Sequence, residues 1–573
     1  SAFLLNRSSD LSFISGGTVA DIPTQTWTGS ALTPAVTVTV GGRVLTEGTD
    51  YFVTYTNNSD IGINTATATV TGKGSYKGTL SKNFSIALSG VPYNATDGCY
   101  EIANETALRN LATYVNAKNT CSGKTFKQTQ PITLTGGNFT PIGRSAIFGA
   151  TYDGGGLAIS GLTVSIADEA AGLFGNVKYG TVRNVLLVSP NVTSTVNSTH
   201  AIHVGALAGF CDYATIENCH VLSPNVSANG TGSGAKRLGA LIGEILEGSV
   251  TNCHFNGGNQ SNAIGLKIDN MVTVTNVGQM YKLTLPTGVT ATGTPVLTYA
   301  GKGYYTSGSS VTLSDLPAAE AGYLDWQYTV GGVAIDGTSF TIGEADATVA
   351  LTHHPDPDDF SVSGSEYTIH TAAGWGVFCD ALQDNDTYNR FSGKTVKLGA
   401  DITISRMAGA SQHDFCGTFD GQEHTLTFNY GTSGSYASDE YAAPFHYVSN
   451  VGSTAAAFRN LHVAGHIYTS AKYAAGLIAQ HWGTVNVENC RVSTVIHSSV
   501  SGDGTHGGIE AVNIGVLNIT GCVFDGKLLT TNGTDNCGGF VGWHNGGTTN
   551  ISNSLYAPAA IATGERESGP GTA

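Results

Sequence analysis

Apolar and polar positions alternate with a period of two along much of this chain, in runs too short for helices. Val36, Val38 and Val40 are spaced by Thr, Tyr51, Val53 and Tyr55 repeat the pattern, and Ala66, Ala68 and Val70 follow. Gly41-Gly42, the Asn57-Asn58-Ser59-Asp60 stretch and Gly72-Lys73-Gly74 separate these runs, so they predict half-buried strands joined by turns. With Phe84 and Ile86 closing the set, residues 21–88 predict a small β-sandwich behind a polar, linker-like 1–20. A helical period shows in two places. Leu108, Leu111, Ala112 and Val115 fall at i, i+3, i+4 and i+7 behind Asn104, a good N-cap, and Trp375, Phe378, Cys379 and Leu382 repeat that spacing. Amphipathic helices are expected over 104–116 and 372–384.

Between and after those helices one phrase recurs. Gly172-Leu173-Phe174-Gly175 returns as Ala206-Leu207-Ala208-Gly209 and Ala240-Leu241-Ile242-Gly243, and Val182-Arg183-Asn184-Val185 as Ile216-Glu217-Asn218-Cys219 and Val250-Thr251-Asn252-Cys253. The spacing is 34 each time (206 − 172, 240 − 206, 218 − 184, 252 − 218). Later copies at Phe458-Arg459-Asn460-Leu461, Val487-Glu488-Asn489-Cys490, Ile519-Thr520-Gly521-Cys522 and Ile551-Ser552-Asn553-Ser554 are 29, 32 and 32 residues apart. Slightly variable periods with strand phrases between Gly and Asn turns predict parallel β-helices, one coil per repeat. Tyr100, Leu108 and Asp153 also map to Tyr367, Trp375 and Asp420 at an offset of 267, so the architecture is written twice. Each helix then serves as an N-terminal cap over the open end of a solenoid.

The expected fold is therefore all-β: two parallel β-helix (solenoid) modules, each with an N-terminal capping helix, an immunoglobulin-like β-sandwich and a small β-rich spacer. Domains are expected at 21–88 (sandwich), 89–280 (first β-helix), 281–352 (spacer), 353–364 (acidic, Pro-containing linker) and 365–560 (second β-helix), with a tail over 561–573.

Composition narrows the partners. The chain has 573 residues, 12% of them charged, with 26 Lys and Arg against 42 Asp and Glu for a net charge of −16. No basic stripe gathers, which argues against nucleic acid and anionic membrane as partners. No apolar run approaches the ~20 residues of a membrane helix, so no membrane insertion is expected of this segment. Of the ten cysteines, Cys219, Cys253, Cys490 and Cys522 share one slot of the repeat and read as a buried thiol stack. Cys99 with Cys121, and Cys379 with Cys416, are candidate disulfides whose pairing the sequence leaves open.

The recurring Gly172-Leu173-Phe174-Gly175 phrase, with Gly476-Leu477-Ile478-Ala479 and Gly539-Phe540-Val541-Gly542, resembles the GLUG motif of bacterial surface and secreted proteins. Phe148-Gly149-Ala150-Thr151-Tyr152-Asp153-Gly154 and Phe415-Cys416-Gly417-Thr418-Phe419-Asp420-Gly421 resemble the lead-in often found before it. Trp27-Thr28-Gly29, Leu45 to Tyr51, Gly72 to Tyr76 and Phe84-Ser85-Ile86 resemble a bacterial immunoglobulin-like repeat, and Tyr304-Tyr305, Gly322-Tyr323, Trp326 and Phe340 to Gly343 resemble the small repeats named after internalin B. The resemblance implies an extracellular or cell-surface, adhesin-like protein whose partner is a host or bacterial glycan or surface protein, and it carries no catalytic residues over to this chain.

Chemistry-bearing clusters are sparse. There is no H-E-x-x-H, so the zinc-protease reading fails, no C-x-x-C pair exists either, and no cofactor or metal is expected. Ser122-Gly123-Lys124-Thr125 and Ser392-Gly393-Lys394-Thr395 imitate the end of a phosphate-binding loop without its first Gly. The candidate binding residues are Asp212, Glu244, Lys236 and Arg237, gathered on neighbouring repeats, and Trp326, whose alternation with Tyr328 is also that of a packed strand. The same carboxylates would serve the rival reading of a β-helical polysaccharide lyase or glycoside hydrolase. A stalk carrying a binding domain elsewhere is the second rival. A non-enzymatic monomer that recognises its partner through what differs between repeats, as in the 193–203 and 229–236 stretches, is the expectation.

Overall fold

The computed structural model describes residues 12–117, 119, 121–500, 505–530 and 536–559. These belong to two compact units, one built mainly from the chain up to Ser314 and the other mainly from the chain after Ala350.

In the first unit, strands Tyr51–Thr56, Gly62–Gly72 and Thr79–Ala87 pair antiparallel, and Gln25–Thr26 adds in parallel beside Ile86 and Ala87. A second sheet joins Thr18–Val19, Val38–Val40 and Arg43–Val44. Tyr51, Ala66, Ala68, Val70, Phe84 and Ile86 turn inward against Val36 and Val38, the alternation seen in the sequence. The expected linker is corrected over 12–20: Ser12–Phe13 pairs with Tyr76–Lys77, Ile14 is fully buried, and Thr18–Val19 lies in the second sheet. Residues 1–11, and the 561–573 tail, lie outside the described residues.

Helix α1, Glu105–Asn116, begins where Asn104 Oδ1 accepts from the Ala107 amide at 3.0 Å, and it buries Leu108, Leu111, Ala112, Tyr114 and Val115. Beyond it the chain coils. Strands Thr151–Asp153, Thr181–Arg183, Ala214–Glu217 and Gly248–Asn256 stack in parallel, with Thr181 opposite Thr215 and Thr215 opposite Ser249. The 34-residue repeat is thus one turn of the coil, and it sets each residue on its equivalent. Leu173, Leu207 and Leu241 are all fully buried in the axial core.

Two repeated polar features have structural explanations. Asn184, Asn218 and Asn252 all take the left-handed conformation (φ 54°, 51° and 52°), which Asn tolerates better than other side chains. Asn218 Nδ2 donates to Asn184 Oδ1 at 3.4 Å, and the same corner in the second unit holds Asn460, Asn489, Gly521 and Asn553 at φ 50–68°. Asp153 accepts from the Gly155 amide (3.0 Å) and Asn184 Nδ2 (2.9 Å) and pairs with Arg183 (3.0 Å). Asp420 repeats this with the Gln422 amide (3.1 Å), Asn460 (3.3 Å) and Arg459 (2.9 Å). These aspartates are turn braces.

The shared cysteine slot is buried: the Cys219 amide donates to Cys253 Sγ at 3.4 Å and the Cys490 amide to Cys522 Sγ at 3.5 Å. The candidate disulfides are corrected. Cys99, Cys121, Cys379 and Cys416 are separate free thiols, each buried as a small core residue.

The second unit repeats the plan. Helix α2, Ala372–Ala381, is capped by Thr371, whose hydroxyl accepts from the Gly374 amide at 3.1 Å, and it ends three residues before the expected Asp384 because a second short turn, Asn385–Tyr388, begins there. Trp375 and Phe378 drive into an aromatic core, Trp375 lying 5.5 Å from the Phe445 ring and Phe378 5.8 Å from Phe415. Strands Thr418–Asp420, Ala456–Arg459, Thr484–Glu488, Val516–Thr520 and Thr548–Ser552 then stack in parallel.

The closing Gly of the repeated phrase shapes the outer surface. A Cβ on Gly209 would stand 2.5 Å from the Ala171 amide nitrogen, and one on Gly243 2.4 Å from that of Val204. Without side chains there, the strand after the phrase folds close against the strand before it, and the outside of the coil becomes concave. In both solenoids, side chains from the two strands meet across this bend.

Candidate functional site

In the first solenoid the groove is walled by two columns set by strand register. Ala170, His203 and Arg237 stack on one side, and Asn176, Phe210 and Glu244 on the other. The columns meet: His203 Nδ1 lies 2.7 Å from Glu244 Oε2, Arg237 also pairs with that oxygen, and the His203 and Phe210 rings are 5.2 Å apart. Glu244 is almost fully buried, and the Arg237 guanidinium supplies the opposite charge beside it. Burial lowers the His203 pKa and Arg237 adds to this, while Glu244 opposes it.

At the rim two tyrosines stand out. Tyr179 and Tyr213 occupy equivalent corners of successive coils and are 67% and 49% exposed, and both are held at positive φ (57° and 48°), a conformation that bulky residues rarely adopt. Their rings stack 5.0 Å apart with planes only 17° from parallel. Glu247, one coil further on, accepts from the Tyr213 hydroxyl and raises its pKa. Beside the pair, Lys178 and Asp212 join at 2.6 Å, and the Lys178 ammonium sits 5.3 Å from the Tyr179 ring. Arg144, Ile147, Asn176, Lys178, Tyr179, Phe210 and Asp212 line a cleft of ≈ 800 Å³ below them. Such a surface offers aromatic faces for stacking, charged and amide groups for directed hydrogen bonds, and a concavity, the components of a polar-ligand site.

Of the residues the sequence singled out, Glu244 and Arg237 come together, and Asp212 lies on the adjoining cleft wall. Lys236 turns away, its ammonium donating to the Ala228 carbonyl at 2.8 Å. Trp326, in the other unit, is half-buried and packs edge-on against His353 with ring centres 3.8 Å apart. The variable loops are ordered as coil extensions: the Thr231 amide donates to Asn197 Oδ1 at 2.7 Å across exactly one 34-residue repeat, and Ser198 and His200 both reach Glu169.

His203, Phe210, Tyr179 and Tyr213 escaped the sequence reading. The signal for the tyrosines was present, since 213 − 179 is again 34 and an aromatic repeated at a turn has no core to fill. Among the described residues no group of three or more His, Cys, Asp or Glu is arranged to hold a metal ion. No protein-family model matches this chain, and a search of curated proteins found no significant similarity.

Proposed function

We propose that this chain is a non-enzymatic, cell-surface or secreted, adhesin-like protein of the GLUG-motif kind, and that the cleft and rim of its first solenoid bind a glycan. The observation that supports this reading is the stacked, exposed Tyr179–Tyr213 pair above the Lys178–Asp212 wall. Neither ring is needed for the core, and both occupy strained backbone, which a purely structural corner would fill with Asn or Gly. Pyranose rings present C–H faces that pack on aromatic planes, while their hydroxyls take hydrogen bonds from charged and amide groups nearby.

A glycan array probed with the whole chain tests this. Binding to at least one charged or amide-bearing glycan is expected, and Tyr179→Ala with Tyr213→Ala should weaken it about tenfold or more, the range of a lost stacking pair. A silent array would favour the stalk, and undiminished binding by the double variant would remove the site. The rival enzyme reading draws on His203, Arg237 and Glu244, which lie across adjacent coils of the outer groove. It predicts that a bound polysaccharide shortens on incubation and that Glu244→Gln stops this. A chain length that stays constant excludes it.

A further inference from the structure

The same bend in the second solenoid has a different lining. By register its columns are Tyr441, Tyr473 and Thr505 on one side and Tyr447, Gln480, Val512 and Trp543 on the other. Where the first groove places His203, Arg237 and Glu244, the second places aromatic rings and neutral side chains. Ala443, Ala475, Ala479 and Ala511, small buried residues, pack under Tyr441 and Tyr473.

The rings form one connected surface. Tyr441 stacks on Tyr473 (4.9 Å, 20°), Tyr441 faces Tyr447 across the groove (5.6 Å), Tyr447 stacks on Trp482 (5.3 Å, 22°), and Tyr473 lies parallel to Trp543 (6.3 Å, 8°). Trp482 and Trp543 are 38% and 40% exposed. His446, in the position that Gly175 fills in the first solenoid, stacks 4.2 Å from Tyr447 and carries a buried Nε2 without a hydrogen-bond partner. Among the described residues, charges stand at the groove edge: Lys472 lies 5.3 Å from the Tyr473 ring, Glu440 acts on Tyr441 and Tyr447, and Asp439 acts on His446. None of the column residues carries a charge.

We infer that this groove binds a linear, uncharged polysaccharide, laid along the solenoid axis with successive sugar rings stacked on aromatic faces supplied by successive coils. The inference rests on the glycan-binding reading above and assigns a separate site and ligand class to it. Three features select this occupant. Coils repeat about every 4.8 Å, so aromatic faces recur along the axis rather than converging on one pocket, which suits a chain of sugars. The lining is neutral, so an anionic or cationic polymer would lose its hydration without gaining a counter-charge. Tyr hydroxyls and the indole N–H groups of the half-exposed Trp482 and Trp543 supply the neutral hydrogen-bonding groups that sugar hydroxyls need.

The test is affinity electrophoresis of the whole chain through gels holding neutral polysaccharides (glucans, mannans, xylans) or anionic ones (polygalacturonate, alginate). At least one neutral gel should retard the protein. Tyr473→Ala with Trp543→Ala should weaken that retardation about tenfold or more, Tyr473→Phe should keep most of it, and Tyr179→Ala with Tyr213→Ala should leave it unchanged. Titrating unmodified protein with the matching neutral oligosaccharide should saturably shift tryptophan emission, and Trp482→Phe should reduce that shift, so the outcome does not depend on the alanine pair folding. Retardation by neutral gels that the alanine pair retains, with its melting temperature unchanged, overturns the groove while leaving the glycan-binding reading in place. Retardation by anionic gels alone overturns the assignment to neutral chains. If neither gel nor array binds, both readings fall together.

Discussion

At the residue scale the repeat spends its polar side chains on corners. Asn at position 218 is there because its amide tolerates φ near 50° and continues a side-chain ladder, and Asp153 is there because one carboxylate satisfies an amide, an asparagine and an arginine at once. Desolvation alone would raise the Asp153 pKa, but the hydrogen bonds from Asn184 and Gly155 and the Arg183 charge outweigh it and hold the carboxyl below its ordinary value. A carboxyl whose pKa is lowered by folding stabilises the fold above its unfolded value of about 3.9, and that contribution disappears as pH falls through the folded value. Asp153→Asn should therefore lower the melting temperature at pH 7 and matter progressively less below about pH 4. A melting difference that stays constant from pH 7 to pH 3 would show that the charge is irrelevant to the brace.

At the scale of the element, stacking lets one coil correct or burden the next. In the second solenoid the inward position held by Phe445 and Ile478 passes to Glu510, which is fully buried and paired with the equally buried Nδ1 of His481. Burial raises the Glu510 pKa, and the His481 contact opposes this. The second polar atom of each group, His481 Nε2 and Glu510 Oε2, lacks a hydrogen-bond partner, so the pair is costly to hold and costlier to break. Glu510→Ala should destabilise by about 3–5 kcal/mol, whereas Glu510→Leu combined with His481→Leu should cost clearly less than the two single changes added together. Thermal or urea unfolding of the unmodified protein, Glu510→Ala, the two single Leu variants and the double Leu variant checks this, and simple additivity would show that the two side chains act independently.

At the scale of the whole molecule, a solenoid is stable through neighbours alone, so damage should spread by distance along the coil. Trp375, driven from α2 into the first coils of the second solenoid beside Phe378, is one of the contacts that close its end. Trp375→Ala should cost about 3–5 kcal/mol. Hydrogen exchange should then quicken most in 395–398 and 418–420 and least in 548–552. Uniform acceleration across all coils would mean that the solenoid unfolds as one unit and that the helix is not an end cap.

The sequence by itself determined the periodic parts. A 34-residue spacing must become one coil, because only then do Leu173, Leu207 and Leu241 share a core, and Asn104 ahead of an i, i+3, i+4, i+7 run must begin a helix, because both are local facts of backbone and burial. The 267-residue offset likewise carried the duplicated Asp153 and Asp420 braces. What lay beyond reach was decided by strands far apart in the chain. Whether Arg237 meets Glu244 while its neighbour Lys236 turns to Ala228 depends on which side of a strand faces the concavity. Ile14 was read as linker because its partners lie far along the chain in the sandwich, where Ser12–Phe13 beside it pairs with Tyr76–Lys77, and the four candidate disulfide thiols are buried unjoined, Cys416 beside Asp414 and Ser449. The groove itself is visible in sequence only as glycines and small residues. It becomes a surface when the backbone closes over those missing side chains and sets one column of residues against another, charged in the first solenoid and aromatic in the second.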